Sequence, residues 1–488
     1  MVFSSVTFIF VFLPITLALY FLSAAFLPAK VKFKVLNIIL LFCSLFFYAW
    51  GEPSYILLLI VSMYGNFFIA TAIDVNKGTR NCGVWLFTGV ILNLLFLIYF
   101  KYINLLITTK LFGIVVNELP SDLRPAPNFH VALPLGISFY TFQAISYLID
   151  VYRQNSKVAR SLIDFGCYLT MFPQLVAGPI VRYESIAKEL LFRKLTSQNF
   201  CEGFKRFTFG LAKKLLIADT CGRIADAAFS IPNPEVTALA AWVGMLCYTL
   251  QIYFDFSGYS DMAIGLGRIF GFTFPENFNY PYISKSISEF WRRWHMTLST
   301  WFKDYLYIPM GGNRKGKFRT CINLFIVFAL CGFWHGADWM FLLWGIYYGL
   351  FLILERVTNH FPERLFPAWL SHIYTIAVFS VGWLIFRSSS IEQFLSFFTG
   401  LFNFGPMTPQ TFKVCIPFFT YKTYLTIVVA LLLSTPVYRI FCEKINNAMK
   451  NRQGLLISLS YTWTVVLLLF CYMAIFGATY NAFIYFRF

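Results

Sequence analysis

The chain has 488 residues, of which 58% are apolar and only 12% are charged. A soluble domain must carry a polar outer shell, so this composition excludes a soluble globular protein and predicts an integral membrane protein. The net charge of +17 is attributed to basic cytoplasmic loops and contact with membrane lipids rather than to nucleic acid, with an anionic ligand at the cytoplasmic face as the alternative.

Eleven apolar segments are candidate membrane spans, since a span needs roughly 20 predominantly apolar residues. They are Phe3–Leu27, Val35–Trp50, Tyr55–Ile73, Val84–Phe100, Leu135–Ile149, Val236–Phe254, Ile322–Trp334, Trp339–Leu354, Ile373–Phe386, Leu425–Val437 and Leu455–Phe476. The short segments Leu135–Ile149, Phe165–Val181 and Phe207–Ala218 are predicted to be tilted, half-length or re-entrant. We therefore predict one all-α polytopic membrane domain over residues 1–488, with about eleven transmembrane helices plus re-entrant and interfacial helices.

The orientation of these helices is predicted from the loops that connect them. Lysine and arginine are concentrated in Arg182–Lys214 and in Arg314–Arg319, and such loops lie on the cytoplasmic side of membrane proteins. The loop Asn117–His130 has three prolines and little positive charge, so we predict that it lies on the outer side.

The segment Ile287–Ile308 is predicted to be an amphipathic helix at the membrane interface. Its apolar residues recur at helical spacing, and most of its charged residues fall elsewhere on the circumference. A helix rich in tryptophan and basic residues is typical of an in-plane interfacial position.

Two of the five histidines, His295 and His335, lie in tryptophan-rich apolar segments. An ionisable residue inside a membrane is costly and indicates function, although each could instead form a hydrogen bond across the bundle. An imidazole without a metal suits general-base or nucleophilic acyl transfer. No third ligand accompanies the pair, so we predict no metal site. Asp338 either orients His335 or caps a helix.

A second polar group of residues contains Asp255 and Asp261 in an otherwise apolar stretch. These carboxylates need partners, for which Arg268, Arg292 and Arg293 are candidates. The favoured interpretation is a buried ion pair that fixes helix register, and the alternative is a role in substrate binding.

Three motifs resemble signatures of the bacterial membrane-bound O-acyltransferases: Gln251–Gly265, Glu289–His295 and Trp334-His335-Gly336. Within this family the chain is most similar to the alginate O-acetyltransferase (AlgI-like) branch. The segments shared with that branch are Met1–Ser5, Pro134–Tyr140, Ala177-Gly178-Pro179 and Phe483–Phe486. The resemblance extends over essentially the whole chain.

The resemblance implies an O-acetyltransferase in the bacterial cytoplasmic (inner) membrane, with no bound cofactor and with cytoplasmic acetyl-CoA as acyl donor. His335 would be the family's invariant histidine near the narrow middle of a tunnel, acting as general base or forming a transient acyl-imidazole. His295 would be the second family histidine, on the cytoplasmic side. The predicted substrate-binding residues are Trp291, Arg292, Arg293, Trp294, Trp334, Asp255 and Asp261.

The acceptor implied by the resemblance is an extracytoplasmic polysaccharide such as an alginate-like exopolysaccharide. A separate SGNH-type (AlgJ- or AlgX-like) partner protein would often perform the final esterification. Peptidoglycan acetylation and D-alanyl transfer to teichoic acid are alternatives within the same chemistry. Composition alone also permits a transporter or lipid flippase, although the chain shows no repeated halves.

Overall fold

The structure is a computed structural model that describes residues 1–108 and 131–477, and every regular element in those residues is helical. Helices are expected here because a segment in lipid must satisfy its own backbone hydrogen-bonding groups. The predicted outer loop Asn117–His130 and the closing motif Phe483–Phe486 both fall entirely outside the described residues.

The chain opens with four long apolar helices, of which α1 packs against α2 and α3 packs against α4. A π-helical turn at Phe8–Phe12 leads directly into α1. The four helices are α1 (Leu13–Phe26), α2 (Ala29–Gly51), α3 (Ile56–Val75) and α4 (Arg80–Thr108).

Short helices then lead to the central helix of the bundle. They are α5 (Ile137–Tyr152), α6 (Leu162–Thr170), α7 (Phe172–Leu175), α8 (Tyr183–Leu191), α9 (Ser197–Ala212) and α10 (Asp219–Phe229). The central helix is α11 (Ala238–Ile269), and 78% of its membrane-span window is buried inside the protein. Helix α9 lies close against α11, since a Cβ atom on Gly258 would come within 2.7 Å of the Gly210 carbonyl oxygen.

The second half of the chain carries the two candidate histidines. Its first helices are α12 (Ile287–Arg293), α13 (Met296–Phe302), α14 (Gly316–His335), α15 (Trp339–Val357), α16 (Phe361–Leu365) and α17 (Ala368–Arg387). The last helices are α18 (Ile391–Gly400), α19 (Pro409–Cys415), α20 (Tyr421–Leu433), α21 (Val437–Ala448) and α22 (Gln453–Phe476).

Nine helices among the described residues are long and apolar enough to cross a membrane, or ten if one bent pair counts as a span. The bent pair joins Thr411–Phe419 to Tyr421–Leu433 at an angle of 63°. The predicted polytopic all-α architecture is therefore confirmed, with slightly fewer full-length spans than the eleven segments suggested. The segment Leu135–Ile149 forms the 16-residue α5, which is short for a span, as predicted.

The prediction of one continuous helix over Ile287–Ile308 is wrong. Helix α12 ends at Arg293, and His295 adopts a left-handed backbone conformation with φ of 42°. Helix α13 then begins at Met296 and passes into a π-helical turn at Lys303–Tyr307. The side chains of this segment that were expected to face a membrane interface are largely buried in the protein.

Candidate active site

His335 is the last residue of α14 and lies in an aromatic enclosure. Its ring centroid is 4.9 Å from that of Trp334, 4.9 Å from that of Trp344 and 5.3 Å from that of Phe386. Helices α14 and α15 can approach this closely because they meet at glycines: a side chain at Gly345 would collide with the Phe328 carbonyl. The packing of two helices thus fixes the position of the imidazole.

The His335 imidazole is 7% exposed at the residue level and receives no hydrogen bond from any described group. Asp338, one candidate to orient it, instead accepts a hydrogen bond from the Met340 backbone N–H at 2.8 Å and caps α15. The capping interpretation of Asp338 is therefore confirmed. The imidazole remains available to a ligand.

His335 lines a cavity of about 140 Å³, which we call the Lys101 cavity. Its polar wall contains Lys101, Ser138 and Glu52, and the chain Leu133–Phe139 closes one side. A cavity of this size holds a few water molecules or one small acyl group rather than a whole coenzyme.

A second and larger cavity of about 370 Å³, called the arginine-rimmed cavity, lies along the same helix. Its wall follows α14 from Thr320 to Cys331, and the Lys101 cavity begins at Trp334, within the same helical turn. One helical turn spans only about 5.4 Å along the axis. Cys331 and Trp334, three residues apart on α14, therefore contribute to the walls of the two cavities.

The mouth of the larger cavity is basic, while its interior is apolar. Arg292, Lys303 and Arg356 line it and are exposed, and none of them forms an ion pair with a described carboxylate. The deeper wall is formed by side chains such as Trp291 and Phe328. This combination suits a ligand with an anionic head and a less polar arm.

His295 occupies the sharp turn between α12 and α13. Its left-handed conformation is uncommon for a residue other than glycine and marks local strain. Two backbone hydrogen bonds hold the turn, from the Asn279 N–H to the Arg293 oxygen and from the Met296 N–H to the Asn277 oxygen, both at 2.9 Å.

The hydrogen bonds of Asn277 fix the tautomer of His295. Its Oδ1 atom accepts from the Thr297 hydroxyl at 2.9 Å, and its Nδ2 atom donates to the Ser260 hydroxyl at 3.1 Å. Since Oδ1 is an acceptor, His295 Nδ1, 3.0 Å away, carries the proton and donates. His295 Nε2 is then an unprotonated acceptor, and it is buried with no partner among the described residues.

Burial lowers the pKa of His295 to about 3, so its ring is neutral near pH 7. The ring packs edge-on against Phe256 at 4.6 Å. Tryptophan rings connect the two histidines. The ring centroid of Trp294 lies 4.7 Å from that of Trp383, and the Trp383 centroid lies 6.3 Å from that of Trp344, beside His335.

Glu355 of α15 holds the start of α12. Its fully buried carboxylate accepts hydrogen bonds from the backbone N–H groups of Ile287 at 2.7 Å and Ser288 at 2.9 Å. The Ser288 hydroxyl also donates to it, at 2.6 Å. These hydrogen bonds connect α12, which leads to His295, with α15, which packs on His335.

The predicted substrate-binding residues divide into two groups. Trp291 and Arg292 line the arginine-rimmed cavity, and Trp334 lines the Lys101 cavity. Arg293 instead pairs with Glu289 at 2.8 Å, and Trp294 packs within the tryptophan cluster; neither lines these two cavities.

The prediction that Asp255 and Asp261 meet Arg268, Arg292 or Arg293 is wrong in its partners. Asp261 pairs with Arg206 at 2.7 Å and Lys213 at 2.6 Å, and Asp255 pairs with Lys214 at 2.8 Å. These cations belong to α9 and the π-helical turn after it, so the pairs fix α9 against α11. The favoured interpretation, a buried ion pair, agrees with this geometry, and neither carboxylate lines the two cavities beside His335.

Sequence reasoning missed three residues of this region: Lys101, Asn277 and Glu355. Lys101 is a lone lysine in the apolar run from Leu94 to Ile107, which is a detectable signal of function in a membrane segment. Asn277 and Glu355 gave no comparable signal. Across residues 1–108 and 131–477, no three histidine, cysteine or acidic side chains come together to hold a metal ion.

Comparison with known proteins agrees with the geometry. The sequence pattern of the membrane-bound O-acyltransferase family matches residues 42–397, which include both histidines. The chain is 44% identical over 411 residues to a probable alginate O-acetylase of Pseudomonas aeruginosa, covering 83% of this chain and 75% of that protein. It is 32% identical over 526 residues to a peptidoglycan O-acetyltransferase of Helicobacter pylori, covering 100% and 98% of the two chains. It is 31% identical over 280 residues to a teichoic acid D-alanyltransferase of Bacillus subtilis, covering 53% of this chain and 70% of that one.

Proposed function

Because the chain belongs to the membrane-bound O-acyltransferase family, we propose that it moves an acetyl group from cytoplasmic acetyl-CoA through the membrane to a hydroxyl group of an extracytoplasmic polysaccharide. The observation that carries the proposal is the position of His335. It ends a helix whose residues Cys331 and Trp334 contribute to the walls of two separate cavities, one with a basic mouth and one without.

The arginine-rimmed cavity is the proposed donor site. Coenzyme A has an anionic phosphate head and a long pantetheine arm that ends in the thioester. Arg292, Lys303 and Arg356 would attract and hold the phosphates, while the apolar wall would accept the arm. The basic segment Arg314–Arg319, which contains the start of α14, supports a cytoplasmic position for this mouth.

The proposed chemistry takes place at the end of α14. His335 removes the proton from the acceptor hydroxyl as its oxygen attacks the thioester carbonyl, and the coenzyme leaves as a thiol when the proton is returned to sulfur. His295 lines neither cavity. Its ring is neutral with an acceptor at Nε2, so it would position the thioester only through a hydrogen-bond donor that reaches this atom. Trp291 and Trp334 would enclose the reacting groups and exclude water.

The proposed acceptor is an alginate-like exopolysaccharide, because the probable alginate O-acetylases share 42–44% identity with this chain. The small Lys101 cavity would not admit a polysaccharide. The SGNH-type partner protein that the family resemblance implies would therefore accept the acyl group and pass it to the sugar. The site of action would be the bacterial cytoplasmic membrane. Peptidoglycan is the second candidate acceptor, since similarity to the Helicobacter pylori enzyme covers the whole of this chain.

The test uses purified full-length protein in lipid nanodiscs, acetyl-CoA labelled in the acetyl group, and membrane-depleted envelope extract as the source of acceptor. We expect label transfer by the wild type and none above background by His335→Ala, with donor binding retained. The matched control is His372→Ala, because His372 hydrogen-bonds to the Ser284 oxygen and lines neither cavity. Full transfer by His335→Ala would overturn the mechanism, and failure of the wild type to bind acetyl-CoA would overturn acetyl-CoA as donor.

A further inference from the structure

The helix that carries His335 ends without the usual backbone cap. The last carbonyl groups of any helix have no partner within the helix, and inside a membrane water is not freely available to replace one. After His335 the chain turns to an extended conformation at Gly336, and no backbone N–H of the described residues closes the last turn of α14. Its terminal carbonyls therefore require donors from elsewhere in the bundle.

Two consecutive residues of α4 supply those donors. The Tyr102 hydroxyl donates to the Phe333 oxygen, and the two rings stack at 4.1 Å. Lys101 Nζ donates to the Trp334 oxygen and, at 3.1 Å, to the His335 oxygen. Three successive carbonyls at the end of α14 are thus satisfied by one turn of a neighbouring helix.

The ammonium group of Lys101 is fully used in this arrangement. Besides the two carbonyls it donates to the Ser138 hydroxyl at 3.5 Å, which accounts for its three N–H bonds. The residue is 6% exposed, and no described carboxylate forms an ion pair with it. The negative end of the α14 dipole is the environment that favours an uncompensated cation at this place.

From these contacts we propose that Lys101 is a positioning residue for His335, acting with Tyr102 as the cap of α14. By holding the carbonyls of Trp334 and His335, the lysine fixes the backbone from which the imidazole reaches the wall of the Lys101 cavity. The capping hydrogen bonds of Lys101 and Tyr102 are a feature of the fold and do not depend on the proposed function. Its effect on the reaction rate rests on the proposed function.

The cap is tested first without any activity measurement, by amide hydrogen exchange of the full-length protein in nanodiscs. Lys101→Met and Tyr102→Phe should raise exchange in peptides that cover the last turn of α14, while peptides of α22 should be unchanged. Lys77→Met is the matched control, since Lys77 lies before the other end of α4 and its side chain, paired with Asp74, is 46% exposed. The cap is refuted if the last turn of α14 exchanges equally in Lys101→Met and Lys77→Met.

The positioning role is tested by separating kcat from the KM for acetyl-CoA. Lys101→Met should lower kcat by about 10- to 100-fold, the range that follows from losing a hydrogen bond to a charged group. Tyr102→Phe should lower it by about three- to tenfold, since its lost hydrogen bond is between neutral groups. The donor KM should stay within about twofold in both variants, because neither residue lines the arginine-rimmed cavity.

The outcomes separate the two proposals. A wild-type protein without acetyl transfer would overturn the proposed function, yet the exchange experiment would still decide whether Lys101 caps α14. Normal transfer by the wild type with unchanged kcat in both variants would overturn the positioning role alone. A change in donor KM with kcat unchanged would also overturn it, because that pattern assigns Lys101 to donor binding.

Discussion

The two ion pairs of Lys214, which lies in the π-helical turn between α9 and α10, give the sharpest prediction for stability. Lys214 Nζ lies 2.7 Å from Asp219 Oδ1 and 2.8 Å from Asp255 Oδ1, and the lysine side chain is only 2% exposed. Replacing Lys214 by methionine leaves both carboxylates in place without this cation between them. Removal of one member of such a buried pair is strongly destabilising because the remaining charge keeps its desolvation cost.

The expected loss in the free energy of unfolding is about 3–5 kcal/mol for Lys214→Met, the range found for a broken buried pair. The assay is unfolding in detergent, followed by the reaction of a thiol-specific dye with buried cysteines such as Cys221 and Cys247. Arg439→Met is the matched control. Its partner Glu443 lies on the same exposed helical face, at 2.8 Å, so we expect no measurable change.

Two results would contradict this reasoning. If Lys214→Met has the same free energy of unfolding as Arg439→Met, the buried pairs do not stabilise the bundle. If instead Lys214→Met remains folded but its donor KM rises by an order of magnitude, Asp255 takes part in substrate binding after all, although it lines neither cavity.

Further predictions concern the remaining parts of the site. Glu355→Gln should lower the free energy of unfolding by about 3 kcal/mol, since an amide cannot replace the charge-assisted bonds to the start of α12, and hydrogen exchange in α12 should rise with it. Arg356→Met should raise the donor KM about fivefold without changing kcat, the size expected for one exposed charge, and should weaken the dependence of KM on salt. Burial raises the pKa of Glu289, but the Lys285 N–H and the Arg293 guanidinium outweigh it and hold that pKa below its usual 4.5. The ionised Glu289 carboxylate therefore stabilises the folded state fully above pH 4.5. This stabilisation is lost as the pH falls through the lower pKa that Glu289 has in the folded protein. Unfolding measured from about pH 6 to about pH 3 should accordingly show a smaller loss of stability for Glu289→Gln than for the wild type.

Much of the architecture could be predicted because the membrane imposes a simple rule on the sequence. Apolar runs of sufficient length became helices, and their ends moved by only a few residues in most cases. The largest difference is in the central helix, predicted to end at Phe254 but observed to continue to Ile269. Asp255 and Asp261 interrupt the apolar run, yet cations from other helices neutralise them and the helix continues.

The break at His295 could not be predicted from periodicity. Apolar residues continue at helical spacing across it, and local sequence therefore favours one helix. The turn is held by hydrogen bonds to Asn277 and Asn279, which come from a separate segment of the chain. Tertiary contacts of this kind override local propensity without leaving a mark in the pattern.

The two histidines could be recognised because an ionisable residue in an apolar setting is rare. Their supporting residues could not, since support is a matter of distance in space. Lys101 donates to the backbone of His335 across 234 residues of sequence, and Glu355 reaches Ile287 across 68. Only the folded chain brings these groups together.

The most direct test of the central claim is a measurement of sidedness. Sealed vesicles of known orientation, containing the full-length protein, would receive labelled acetyl-CoA on one side and a hydroxyl acceptor on the other. We predict that the label reaches the acceptor only when acetyl-CoA meets the side that carries Arg292 and Arg356, and that His335→Ala abolishes the transfer. Equal transfer from either side, or transfer that survives the loss of His335, would contradict the account.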